Sequence, residues 1–166
     1  MKLARIGSAG AEHPAVQDTS GVWRDLSGLV DDLDGSVLVG DLTATVGQAL
    51  ASGDLPAIAE PERFGPPLAR IGKIVCVGLN YRDHAAETGA TVPREPVLFM
   101  KAPDTVVGPN DQVLVPRDSE KTDWEVELAV VIGREAAYLG RLVPAWWPAV
   151  GVRGGSERVA VVGISL

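Results

Sequence analysis

Cysteine, histidine and aromatic side chains are scarce in this 166-residue chain, with one cysteine, two histidines and an aromatic fraction of 5%. The lone Cys76 excludes an internal disulfide and a zinc site built on cysteines, and it fits a reducing cytoplasm. His13 and His84 stand far apart in sequence, which disfavours a histidine-only metal site and leaves carboxylates as the expected ligands. Positive charge is also short. Fifteen lysines and arginines against 22 acids give a net charge of −7, which argues against a nucleic-acid partner. No apolar run approaches the ~20 residues of a membrane helix. Residues 1–10 lack the basic-then-apolar order of a signal peptide. A cytoplasmic protein without membrane or nucleic-acid partners is the expectation. What is present is ordinary globular composition, 46% apolar and 22% charged. A chain of this length buries about 70% of its unfolded surface, as one large domain or two small ones.

Charge and composition change near residue 140. Residues 140–166 hold three arginines and one glutamate, a net of +2, which leaves −9 for residues 1–139. They also carry Trp146-Trp147 and five glycines. Upstream, residues 1–60 read as a small α+β domain. Its expected strands are 2–6 and 15–18, followed by a hairpin turn into 21–26. Val46 and Leu50, four apart, predict a helix over 43–51. Pro61, Gly65, Pro66 and Pro67 mark residues 61–72 as a linker. Beyond it, the pattern predicts strands at 74–78, 97–100, 113–115 and 124–132. A short helix is expected over 80–87 and a turn at Gly108-Pro109-Asn110-Asp111.

Three features carry possible chemistry. In Asp123-Trp124-Glu125-Val126-Glu127-Leu128, strand geometry sends Glu125 and Glu127 to one face. The pair reads either as a solvated strand edge or as hard oxygen ligands for magnesium, manganese or calcium, which would relieve their mutual repulsion. In Asn80-Tyr81-Arg82-Asp83-His84-Ala85-Ala86-Glu87, helical spacing puts His84 and Glu87 on one face. That reads either as surface charge behind a capped turn or as an imidazole oriented by an acid, a competent general base. Lys101 closes Pro96-Val97-Leu98-Phe99-Met100-Lys101, where a cation meets an anionic substrate or merely solubilises a strand end. Cys76 reads as core filling, the two adjacent tryptophans as core or an aberrant tail, and His13 as a loop residue.

The blocks in order are more telling. The run from Lys73 through Gly78-Leu79-Asn80-Tyr81-Arg82-Asp83-His84 to Glu87 comes first. Pro96 to Lys101 follows, then Gly108-Pro109, then Asp123 to Gly133. This series resembles the fumarylacetoacetate hydrolase family over residues 73–139, and residues 1–72 resemble the small N-terminal domain of its bacterial members. The fold implied is α+β, mainly β: that small domain plus the first part of a mixed β-roll. By resemblance, Glu125 and Glu127 match two of three carboxylate ligands of a magnesium or manganese ion. His84 matches a lid histidine that activates water, Glu87 its partner acid, and Lys101, with Arg82, a contact for an anionic substrate. Family members hydrolyse or isomerise small β-diketo or acylpyruvate-type oxo-acids, cleaving a C–C bond through a metal-bound enolate. Lyases of the ureidoglycolate or oxaloacetate type are the rival within enzymes, and a non-catalytic remnant is the rival outside them. The family is usually homodimeric.

The departures are specific. The family's third acid is an aspartate close to an Asn-Asp-Val-Ser-Glu-Arg-like segment. This chain has Gly154-Gly155-Ser156-Glu157-Arg158, and no aspartate follows Asp123. With the compositional change, this implies a shortened or frame-shifted gene after about Leu139, or alternatively a natural fragment with its own tail over 140–166, with weak metal binding and impaired catalysis. Within that tail only 159–162 has the β-branched character of a strand.

Overall fold

The computed structural model describes residues 1–38, 40–123, 128–133 and 160–164. The chain divides into two compact units. The first is Met1–Arg70 with Thr105–Pro116, and the second is Ile71–Asp104 with the described residues of Arg117–Leu166. The fold is a small mixed one in which strands outnumber helices, as the sequence leads one to expect.

The first unit is an antiparallel meander of β1 (Lys2–Ile6), β2 (His13–Gln17) and β3 (Trp23–Asp25), in that order. Asp18 closes the β2–β3 turn. Its Oδ1 accepts from the Ser20 hydroxyl at 2.6 Å and from the Ser20 and Val22 amides, and Arg24 Nε donates to Oδ2 at 2.9 Å. The Ser20 hydroxyl first, then Arg24 and the amides, hold the carboxyl at about 2. His13 opens β2, opposite Ile6, rather than lying in a loop. β2 begins two residues earlier than the apolar pattern shows.

The helices α1 (Gly35–Leu38) and α2 (Leu42–Ser52) follow. Asp41 caps α2 by accepting from the Ala44 amide at 3.1 Å, and Gly53 ends it at φ 78°. Leu42 and Val46 on its inner face join Val16, Leu26 and Leu33 in an apolar core. Phe64 stacks edge-on to Trp23, ring centroids 5.3 Å apart. The expected strand at 113–115 does not form. Val113, Leu114 and Val115 are exposed and without a ladder partner among the described residues.

Arg63 organises this unit's polar interior. Its Nε and Nη2 donate to both oxygens of Asp111 at 2.8 and 2.7 Å, and Nη1 donates to Glu12 at 2.7 Å and to the Gly7 carbonyl. The forked contact with Asp111, then that with Glu12, raises the Arg63 pKa, and the same bonds hold both acids below the usual carboxylate range. Asp111 also accepts from the Gly108 amide at 2.7 Å, which closes the expected turn. A Cβ at Gly108 would run into the Phe64 carbonyl. Arg5 makes a second fork, to Asp32 at 2.7 and 3.0 Å.

The second unit is a sheet of order β5-β4-β7-β6, built from β4 (Lys73–Gly78), β5 (Val97–Lys101), β6 (Leu128–Val131) and β7 (Ala160–Ile164). β4 runs antiparallel to β5 and parallel to β7, and β7 runs antiparallel to β6. The β-branched run in the tail thus supplies one strand. Cys76 is buried in β4, as its apolar neighbours imply. β5 is exposed along its length. Between β4 and β5 stands α3 (Arg82–Glu87).

Candidate functional site

Six residues form α3, and one of them, Ala85, is buried. Its C-terminal end is closed well. The Gly89 amide donates to Ala86 O at 3.1 Å and the Ala90 amide to Ala85 O at 2.8 Å, with Gly89 at φ 67°. This is the left-handed closure that glycine permits. The Thr88 hydroxyl adds a bond to His84 O at 3.0 Å. The N-terminal end is held less firmly, because Tyr81 is extended and its side chain caps nothing. Leu79, between β4 and this helix, has φ 51°.

His84 is half-buried on α3, with Glu87 exposed one turn later. Both stand on one helix, as their spacing predicts, and no ion pair joins them among the described residues. Arg82 is the first residue of α3 and is exposed.

The sheet register decides which of these residues share an end. Leu128 pairs with Ile164, and Gly163 pairs with Cys76. Leu128 therefore stands level with Val77, at the end of the sheet where β4 passes into α3. Lys101 lies opposite Ile74, in the row that also holds Val161 and Val131. That is four residues from Gly78 along β4, about 13 Å. The structure brings the stem of α3 and the start of β6 to one end of the sheet and leaves Lys101 at the other.

Glu125 and Glu127 lie outside the described residues, as do Trp146 and Trp147. Among the described residues no three histidine, cysteine, aspartate or glutamate side chains gather as a metal ion requires. The chemistry of the Glu125 and Glu127 donor set, two carboxylates on alternate residues, suits a hard divalent cation. No helix among the described residues is long and apolar enough to cross a membrane. Sequence reasoning did not reveal the Arg63 network or the backbone of Leu79. Arg63 between Pro61 and Pro66 was the one signal for the first, and nothing in the residue type signals the second.

Residues 73–142 match the family model for the C-terminal domain of fumarylacetoacetate hydrolase. A Burkholderia ambifaria protein provisionally named a hydrolase is 48% identical over 133 residues, which cover 80% of this chain and 47% of that protein. The 2,4-didehydro-3-deoxy-L-rhamnonate hydrolase of Sphingomonas sp. (strain SKA58) is 45% identical over 139 residues, 84% of this chain and 47% of that enzyme. A crystal structure from Mycobacterium smegmatis, provisionally named an HpcE protein, superposes with a TM-score of 0.64 at 30% identity. The match covers 84% of this chain and 48% of that one. The chain thus spans about half the length of the curated relatives it matches. Residues 73–142 of this chain are thus similar to the C-terminal domain of the fumarylacetoacetate hydrolase family.

Proposed function

We propose that this chain carries part of the site of a divalent-metal-dependent hydrolase of small oxo-acids. The observation that supports this most is the sheet register. Leu128, next in sequence to Glu127, shares an end of the sheet with the strand that leads into α3 and His84. A helix bearing an acid–base group and a stretch bearing two metal-type carboxylates are both needed for metal-assisted hydrolysis.

In this reading Glu125 and Glu127 hold a magnesium or manganese ion. When bound, the ion polarises the substrate carbonyl. An imidazole nitrogen of His84 takes a proton from the attacking water, whose oxygen bonds to the carbonyl carbon. The C–C bond to the adjacent carbon then breaks. His84 returns the proton to that carbon, so one water is consumed and an acid and a keto acid are released. Glu87 favours the charged imidazole during the transfer. Arg82, on α3, offers positive charge to the substrate carboxylate in a protein of net charge −7, whereas Lys101 stands at the other end of the sheet. The substrate class is a 2,4-dioxo acid of the acylpyruvate type. The name of the Sphingomonas relative supports this, since 2,4-didehydro-3-deoxy describes two carbonyls flanking a methylene. A homodimer in the cytoplasm is the setting proposed.

The test is acylpyruvate hydrolysis with manganese, followed by product analysis. His84→Ala lowers the rate by about 10²–10⁴-fold, the usual worth of a positioned acid–base group. A chain that binds manganese yet shows no turnover, or a His84→Ala variant as fast as the parent, overturns the proposal.

A further inference from the structure

Leu79 has a backbone that leucine rarely adopts. Its φ of 51° lies in the left-handed region, where Cβ crowds the following carbonyl. One other non-glycine residue among the described residues has positive φ, Asp118 at 62°, and aspartate tolerates that region through local hydrogen bonding. Leucine has no such means. The turn is therefore held by its surroundings. On one side β4 is fixed by Ile74, Cys76 and Val77, all buried. On the other, Ala85 is the one buried residue of α3, and the Tyr81 side chain caps nothing. The weakly held side is the one that carries His84.

We propose that Leu79 is a positioning residue for His84, its left-handed backbone forming the pivot that directs α3. A side chain disfavoured in that conformation makes the turn bistable. With Leu79 left-handed, Ala85 is buried and His84 is presented. With Leu79 relaxed to negative φ, the helix and its histidine swing away. Undocked, a helix this short does not hold its own turn, so the closure around Gly89 opens with it. The catalytic consequence rests on the reading of His84 as the acid–base group, but the pivot itself does not.

The test compares Leu79→Gly, Leu79→Ala and Leu79→Val in the full chain. Two readouts are used, neither of them turnover. One is hydrogen exchange of the Thr88, Gly89 and Ala90 amides, which close α3. The other is the rate of acylation of His84 by diethylpyrocarbonate, with His13 as internal control. Glycine removes the left-handed penalty and adds chain entropy, for a net slowing of both rates by about two- to fivefold. Valine, branched at Cβ, speeds both, and alanine falls between them. His13 is unchanged throughout. Exchange that follows side-chain size, with glycine fastest and leucine slowest, overturns the proposal, because packing would then be what Leu79 provides. His84 acylation that is equal in all variants also overturns it. A His84→Ala variant that leaves turnover unchanged would remove the catalytic reading and leave these two readouts standing.

Discussion

Replacing Ala85 with glycine takes away the one buried side chain of α3. Ala85 is 1% exposed, so the lost methyl forfeits about 0.8 kcal/mol of burial. Glycine inside a helix costs a further 0.8–1.0 kcal/mol or about that. The sum, about 1.7 kcal/mol, corresponds to roughly a 15-fold rise in the population with α3 undocked. Hydrogen exchange read by NMR is the direct assay. The Thr88 amide, which donates to His84 O at 3.1 Å, and the Ala90 amide, which donates to Ala85 O at 2.8 Å, both exchange about 15-fold faster. Amides of the β4–β5 ladder, such as those pairing Val75 with Met100, keep their rates. A change below about threefold would mean that Ala85 does not dock the helix. An equal acceleration in the ladder would mean that helix and strands open as one body. Either result refutes the argument that α3 is a separately opening element held at a single point.

Leu26→Ala empties the centre of the first unit, where Leu26 is fully buried against its apolar neighbours. It lowers stability by about 2–5 kcal/mol, read as a lower calorimetric melting temperature; an unchanged melt contradicts that core. Asp18, held at about 2, has a folded-state pKa below its unfolded value. Its contribution is therefore whole above about pH 4 and is lost as pH falls toward 2. Urea midpoints of the parent and of Asp18→Asn should differ at pH 6 and converge near pH 2. A gap that persists in acid would assign the effect to something other than the charge.

Local punctuation was readable in the sequence where a single residue type has one physical reason to be present. Val46 with Leu50 reveal the inner face of α2, and the turn residues before 21–26 mark the β2–β3 hairpin. The β-branched run at 74–78 gives β4, and the His84–Glu87 spacing gives α3. The strand expected at 113–115 failed for a nonlocal reason. Its apolar residues have strand character, but a strand also needs a ladder partner, and the neighbouring Asp111 is tied to Arg63 instead. His13 was misread because the length of the β1–β2 pairing depends on both strands. The ion-pair network joins residues 48 and 51 apart in sequence, a separation no local pattern encodes. Leu79 was invisible because its conformation runs against its residue type. The candidate site shows the same division. The residue types of its blocks were legible, whereas only the register shows that Leu128 and the α3 stem share an end of the sheet and that Lys101 does not.

Calorimetric titration with manganese tests the central claim most directly, comparing the chain with its Glu125→Gln, Glu127→Gln double variant. Two carboxylates on alternate residues attract a hard cation. Saturable binding by the parent, lost in the double variant, is the result expected. Equal binding by the two proteins, or none by either, would contradict the account.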